Sequence, residues 1–276
     1  MKSIAILYSG GVDSTAAAVI MAKRFDQIHL LSFKRLGLFN VERTSLNAEL
    51  LKTKFKNKLF FHTILNVDKL FHMISYAKYF KSLKKYGFFL LSTCGLCKLS
   101  MHIRTLIYCL NHDIHFVADG ANKHMFYFPD QTIEYINAVK NLYSQFQISY
   151  LNPVFDFDCP EKDTDWLHKL GLDTDIPSEN DKLIKKLTTS QLLFDEGVTS
   201  IPNAKAEKIN QTTQARCFQL TLFNIFLHWY FLPTYGILKY KQLTYDFYRE
   251  RTRLLLKMMV DYLKDGKNSF LHRYLE

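Results

Sequence analysis

The amino-acid sequence predicts an α/β fold: a parallel five-stranded sheet with helices on both faces, followed by a mostly helical C-terminal region. Three observations support this prediction. Apolar segments of strand length alternate with segments of helical spacing along residues 1–155. A glycine pair stands between the first apolar segment and the first helical segment. From Gln211 onward helical spacing continues alone.

The predicted strands are short apolar runs bounded by polar or turn residues. They are Ile4–Ser9, Ile28–Phe33, Leu59–Leu65, His115–Ala118 and Ser149–Phe155. The predicted helices between them carry apolar residues at intervals of three and four. They are Ser14–Arg24, Leu46–Phe55, Val67–Tyr86, Cys94–Asn111 and Ile133–Phe146. Strands separated by helices imply right-handed crossovers and therefore a parallel sheet.

The last hundred residues differ in character. Asp156–Glu196 is acidic and turn-rich, and two long helical patterns follow at Thr213–Leu232 and Leu243–Leu263. We place a boundary near residue 175, which gives a first domain of residues 1–175 and a helical region of residues 176–276.

Composition excludes several classes of protein. Hydrophobic residues make up 48% of the 276 residues, enough for a packed core and too many for a disordered chain. Five cysteines, an odd number, do not suggest a disulfide framework. We find no apolar run long enough to cross a bilayer and no cleavable signal after Met1. The expectation is a cytoplasmic protein with no membrane partner.

The charge is basic and unevenly distributed. The formal net charge is +10, and the positive excess lies within residues 1–125. Such a field suits a polyanion such as RNA. Two helical stripes could contact it, and a solvated helix face explains them equally well. The stripes are Lys78, Lys81 and Lys85, with Tyr76, Tyr79 and Tyr86 nearby, and Arg249, Arg253 and Lys257.

The strongest local signal is a hexad between the first strand and the first helix. It consists of Ser9, Gly10, Gly11, Val12, Asp13 and Ser14. Paired glycines let a backbone approach a phosphate closely, and the helix that follows presents free N–H groups to an anion. A carboxylate beside phosphates is repulsive unless a cation separates them, so Asp13 is a candidate ligand of Mg²⁺.

Other polar residues follow the predicted strands at the same edge of the sheet, where α/β folds bind ligands. Ser32 and Phe33 end the second strand, and Lys34 and Arg35 follow them. After the fourth strand we expect Asp119 to bind metal, Gly120 and Asn122 to contact nucleotide, and Lys123 to reach phosphate. An ordinary Asp/Asn/Gly turn and solvated charges explain these two segments nearly as well.

A second motif opens a helix. Cys94 and Cys97 are two residues apart, close enough to share one metal ion, and a helix N-terminus lowers a thiol pKa. A 4Fe–4S cluster could use three cysteines, whereas zinc would need two further ligands. Ordinary thiols on a packed helix remain the alternative. Cys109 fits the core, and Cys159 could complete a zinc site.

The hexad resembles the signature of the PP-loop ATP pyrophosphatases, a superfamily with a Rossmann-like sheet. The resemblance covers residues 1–155, and no Gly-Lys-Ser/Thr follows as it would in a Walker loop. It implies that residues 1–175 bind ATP with Mg²⁺. It also implies that the hexad grips the departing pyrophosphate, with Asp13 in a catalytic role, while AMP passes to a substrate oxygen.

The segment from Cys94 to Asn122 resembles the tRNA-thiolating branch, in particular 2-thiocytidine synthetases. This implies catalytic roles for Cys94 and Cys97, a cluster completed by Cys217, tRNA as substrate and an external sulfur donor. A homodimer is a further expectation. One alternative is an amidoligase or 7-cyano-7-deazaguanine synthase-like enzyme, which uses ammonia on a small acid and carries structural zinc. Another is a nucleotide-binding protein without turnover.

Overall fold

The computed structural model describes residues 1–76, 79–91, 94–125, 127–157, 188–199 and 214–275. The strands are β1 (Ser3–Leu7), β2 (Gln27–Lys34), β3 (Leu38–Phe39), β4 (Leu59–Asn66), β5 (Phe116–Ala118), β6 (Ser149–Leu151) and β7 (Arg216–Cys217). Five of them form one sheet in the order β4-β2-β1-β5-β6, and every neighbouring pair in it is parallel. The predicted five-stranded parallel sheet is confirmed.

Nine α-helices are described. They are α1 (Val12–Ala22), α2 (Thr44–Lys54), α3 (Asp68–Tyr76), α4 (Tyr79–Tyr86), α5 (Cys94–Asn111), α6 (Ile133–Ser144), α7 (Thr189–Asp195), α8 (Phe218–Phe226) and α9 (Leu232–Asp265). A π-helical turn, Leu227–Phe231, joins α8 to α9.

Both faces of the sheet are covered by helices, as predicted. Side chains alternate along a strand, so β1 sends Ile4 and Ile6 to one face and Ala5 and Leu7 to the other. The first pair belongs to a buried cluster that includes residues of α1, α2 and α7. The second pair belongs to a larger cluster with α3, α5, α6, α8 and α9. The parallel register then brings the carboxyl ends of β1, β2 and β5 to one edge.

For the helix predicted over Val67–Tyr86 the structure describes α3 and α4, and residues 77–78 between them lie outside the described residues. Two predicted elements differ from the structure. Arg216 and Cys217, within the helix predicted over Thr213–Leu232, instead form β7, because Cys217 pairs with Leu38 in an antiparallel ribbon. The stretch Asp156–Glu196, expected to be turns, contains α7 in its described part.

The C-terminal helix α9 packs directly on α5. Gly95 lies against the buried ring of Tyr248, and a Cβ at this glycine would clash with that ring. Tyr135 donates its hydroxyl to the Gly95 carbonyl at 3.1 Å. The predicted boundary near residue 175 falls outside the described residues and stays a prediction. Among the described helices, none combines the length and hydrophobicity needed to cross a membrane.

We predict that Gly95→Ala lowers the free energy of unfolding by about 1–3 kcal/mol, because the added methyl overpacks a closed interface. Urea denaturation measures the change. Combining the substitution with Tyr248→Leu removes the ring that the methyl meets, so the double variant is expected to lose less than the sum of the two single variants. Strict additivity would contradict the proposed clash.

Candidate functional site

The carboxyl edge of the sheet opens into a cavity of about 520 Å³. It brings together most residues that the sequence singled out. Those that line it are Ser9, Gly11, Val12, Asp13, Ser14, Ser32, Phe33, Cys94, Cys97, Gly120, Asn122 and Cys217. A cavity of this size can enclose a small organic ligand.

The hexad forms a tight turn held by its own side chains. Gly10 has φ of 72°, in the left-handed region that favours glycine. Asn47 of α2 donates its side-chain N–H to the Gly10 carbonyl at 2.7 Å. The Ser14 hydroxyl donates to the Gly11 carbonyl at 3.1 Å and lies 3.1 Å from the Ser9 hydroxyl. The loop is therefore shaped before any ligand arrives.

Helix α1 begins at the cavity without a side-chain cap. Its N-cap residue is Gly11, whose carbonyl accepts bonds from the Thr15 hydroxyl and backbone N–H. Among the described residues, no side chain caps the N–H groups of the first turn. With the positive end of the helix dipole, they make a receptor for an anion.

Gly120 fixes the distance between β5 and the hexad. A Cβ at this position would lie 2.6 Å from the Ser14 backbone nitrogen and 2.7 Å from the Asp13 carbonyl carbon. Both are backbone atoms, which cannot swing aside. Only glycine allows this approach.

Asp13 lies half-buried at the cavity. Its Oδ1 accepts a hydrogen bond from the Thr189 hydroxyl at 2.7 Å. Burial raises the pKa of Asp13, and this hydrogen bond lowers it in part. Within the described ranges no Lys, Arg or His forms an ion pair with this carboxylate. A carboxylate of this kind fits a Mg²⁺ ion that accompanies a phosphate ligand.

A buried ion pair lies beneath the cavity. Lys98, directly after Cys97, places its Nζ 3.1 Å from Asp119 Oδ2. Asp119 also accepts hydrogen bonds from the Tyr150 hydroxyl, the Asn152 amide and a backbone N–H. Burial raises the pKa of Asp119, but Lys98 and these donors outweigh it and hold the pKa below its ordinary value. Four donors therefore surround this carboxylate. The metal-ligand role expected for Asp119 stays a prediction.

Asp130 is a further acidic residue at the cavity. It lines the cavity, and the Gln131 side chain donates to its Oδ2 at 3.1 Å. Burial raises the pKa of Asp130, and the charge of Lys98 lowers it in part. The cavity is thus lined by a second carboxyl group besides Asp13, and burial raises the pKa of both.

The remaining predicted contacts are placed as follows. The Ser32 hydroxyl donates to the Tyr8 carbonyl at 2.9 Å, so it organises the strand ends. Phe33 is buried in the cavity wall. The Asn122 side-chain oxygen accepts from the His124 N–H at 3.0 Å and shapes its turn. Lys123 forms an ion pair with exposed Asp156.

The three candidate cysteines line the cavity, and two of them contact Arg35. Its Nε donates to Cys97 Sγ at 2.9 Å and its Nη2 lies 3.5 Å from Cys217 Sγ. Cys94 lines the same cavity. Burial raises the pKa of Cys97 to about 11 despite the guanidinium, and it raises the pKa of Cys94 as well. Both thiols are therefore protonated at neutral pH.

This arrangement does not fit a metal centre. Over the described part of the chain, no three His, Cys, Asp or Glu side chains are arranged to hold a metal ion. An arginine cation instead contacts two of the three thiols. Cys109 is buried in the core, and Cys159 lies outside the described residues.

Residues 214–217 form a short segment, the strap, that passes over the hexad. The Ala215 N–H donates to the Ser9 carbonyl at 3.3 Å, and the Gln214 side chain covers Gly11. Two residues later the strap becomes β7, which pairs with β3. The C-terminal part of the chain therefore forms one wall of the cavity.

The basic stripes proposed for RNA are partly neutralised. Lys85 forms an ion pair with Glu250 of α9. Arg249 and Arg253 line a separate groove of about 640 Å³ between α6 and α9, beside Glu134. Lys78 lies outside the described residues.

Comparison with known proteins finds only weak similarity to solved structures. No protein-family model and no curated protein matches it. One similar solved structure is a predicted subunit of tRNA methyltransferase from Methanocaldococcus jannaschii, with 20% identity over 58% of this chain and 70% of that chain, at a TM-score of 0.39. Another is NMN synthetase from Francisella tularensis, with 13% identity over 82% and 83% and a TM-score of 0.35. Similarities this low do not assign an activity.

Several residues of the site carried too little sequence signal to be assigned. Arg35 could equally have been a solvated charge, yet it is buried. Lys98 had a local signal, its place directly after the cysteine pair. Asn47, Thr189 and Gln214 reach the hexad from distant segments and had none.

We predict that Gly120→Ala weakens Mg·ATP binding about tenfold or more, because the methyl pushes β5 and the hexad apart. Titration calorimetry measures the affinity. Asp113→Asn serves as a control: Asp113 is exposed and precedes β5 at the other edge of the sheet, so this substitution is expected to leave the affinity unchanged. Equal affinities for Gly120→Ala and the wild type would refute the contact.

We predict that Lys98→Met lowers the free energy of unfolding by about 3–5 kcal/mol near neutral pH. In the wild type the depressed pKa of Asp119 contributes stability above its unfolded value of about 4, and this contribution is lost as pH falls through the folded value. Without Lys98, burial alone raises the pKa of Asp119. The deficit of the variant should therefore shrink as the pH approaches about 4.

Urea denaturation at both pH values measures this difference. Lys123→Met removes an exposed lysine paired with exposed Asp156 and should change the stability by no more than about 0.5 kcal/mol. A Lys98→Met deficit that stays constant with pH would show that the ion pair does not hold Asp119 ionised.

Proposed function

We propose that the chain is an adenylating enzyme of the PP-loop ATP pyrophosphatase type. It binds ATP with Mg²⁺, transfers AMP to an oxygen of a second substrate and releases pyrophosphate. One observation carries the proposal: the hexad, with left-handed Gly10 and the uncapped start of α1, opens into a cavity at the carboxyl edge of a parallel sheet.

This geometry supports the following reaction. An acceptor oxygen attacks the α-phosphorus of ATP, a new P–O bond forms, and the bond to the bridging oxygen of the pyrophosphate breaks. The N–H groups of the hexad and the Ser9 and Ser14 hydroxyls stabilise the charge on the departing pyrophosphate. Asp13 would hold Mg²⁺, which supplies charge neutralisation at the phosphates. Thr189 orients the Asp13 carboxylate.

Two acceptors are compatible with the cavity. A carbonyl oxygen of a nucleoside in tRNA, attacked afterwards by sulfur from an external donor, is supported by the three thiols that line it. The basic half of the chain supports an RNA partner. The second candidate is a small acid that reacts with ammonia after adenylation, and the surroundings of Arg35 favour it, as argued below.

We predict that Asp13→Asn lowers pyrophosphate release about a hundredfold or more, because the amide cannot hold Mg²⁺ beside the phosphates. A coupled pyrophosphate assay with Mg·ATP measures it under two conditions: total tRNA with sulfide, and a pool of small carboxylic acids with ammonium. Asp113→Asn is the matched control, since Asp113 is exposed and precedes β5 at the other edge of the sheet.

Full pyrophosphate release by Asp13→Asn would remove this residue from the catalytic site. Tight binding of ATP by the wild type, without pyrophosphate release under either condition, would favour a nucleotide-binding protein without turnover.

A further inference from the structure

Arg35 is a buried cation that faces the candidate site. Its residue surface is 6% exposed, and it lines the same cavity as the hexad. The guanidinium stacks on the Phe71 ring, with the Cζ atom 4.2 Å from the ring centroid. This stacking and burial hold the side chain in one orientation.

The hydrogen-bond partners of this guanidinium are two oxygen atoms and two sulfur atoms, and no carboxylate is among them. Its Nη1 donates to the Leu36 carbonyl at 2.6 Å and its Nη2 donates to the Gln219 side-chain oxygen at 2.7 Å. The other two contacts are the sulfur atoms of Cys97 and Cys217. Among the described residues no Asp or Glu forms an ion pair with Arg35.

Burying the Arg35 guanidinium among these contacts costs free energy unless an anion binds to it. A buried charge is normally paired, and a thiol sulfur is a weak hydrogen-bond acceptor. Lys98, the other cation at the cavity, already has Asp119 as its partner. The planar fork of an arginine matches the two oxygens of a carboxylate, which would replace the sulfur contacts.

We propose that Arg35 binds the carboxylate of a small acidic acceptor substrate. This inference rests on the proposed function, because it supplies the substrate class for the same cavity. The carboxylate would sit beside the three thiols, and the rest of the molecule would lie against Met101, Met125 and Phe128, which line the cavity as an apolar wall.

Two features favour an acid over the phosphates of ATP or RNA. The hexad already provides a phosphate receptor, and it and Arg35 contact different residues of the strap, Ala215 and Cys217. An RNA backbone is a continuous chain that stays at the surface, whereas the end group of a small molecule can reach a buried guanidinium.

The test follows the Nε–H signal of Arg35 by ¹⁵N NMR on the full-length chain. Arg35→Lys identifies the signal by its absence. Acetate and benzoate are the probes, acetamide and benzamide are their neutral counterparts, and inorganic phosphate is the competing anion. We expect a saturable shift with the two carboxylates and none with the amides. We also expect phosphate to act at least tenfold more weakly.

Two variants separate the alternatives. Cys97→Ser should keep the shift of the Arg35 signal with carboxylates. If this variant no longer responds to carboxylates, the Cys97 thiol is required for the response and Arg35 alone does not bind the carboxylate. Arg35→Met should bind Mg·ATP with an affinity within twofold of the wild type and should show no carboxylate-dependent stabilisation in thermal unfolding. Its melting curve in buffer alone reports whether it folds.

The outcomes distinguish this inference from the proposed function. If the wild type binds Mg·ATP but Arg35 responds to neither carboxylate, the substrate class is wrong and the adenylating function stands. If the Arg35 signal shifts with Mg·ATP and Arg35→Met loses ATP binding, the guanidinium serves the nucleotide and the inference is overturned. If the wild type binds no Mg·ATP while carboxylates shift the signal, the proposed function fails and the acid site remains.

Discussion

The close contact between Gly120 and the backbone of Asp13 and Ser14 is the constraint on which the site depends. Parallel register brings the ends of β1 and β5 to one edge, but only a residue without a side chain lets their loops touch. The hexad is thereby held from one side by β5 and from the other by Asn47. Its N–H groups keep their directions without help from a ligand, which is what electrostatic preorganisation requires.

The buried pair of Lys98 and Asp119 extends this constraint to the cysteine helix. Lys98 belongs to α5 and Asp119 follows β5, so the ion pair ties the start of α5 to the turn that presses on the hexad. Gly95 then lets α9 pack on the same end of α5. The hexad, the cysteine helix α5 and the C-terminal helix α9 form one connected unit, and the strap from Gln214 to Cys217 covers the hexad.

The sequence predicted the parts of this structure that depend on neighbouring residues. Strand and helix periodicity located the sheet, and the hexad was visible because its six residues are consecutive in the chain. The two-residue strand β7 has no periodic signal, so Cys217 was expected in a helix. The burial and hydrogen bonding of Arg35 depend on Cys97 and Cys217, which lie 62 and 182 residues away along the chain. Burial created by such distant contacts leaves no local pattern, and a buried arginine therefore resembled a solvated one.

The central claim is that the hexad is a receptor for the pyrophosphate part of ATP. Calorimetric competition between Mg·ATP and inorganic pyrophosphate on the wild-type chain tests it most directly, because it needs no acceptor substrate. The account predicts one ATP site per chain, from which pyrophosphate displaces the nucleotide competitively. Absence of ATP binding, or ATP binding that pyrophosphate leaves unchanged, would contradict it.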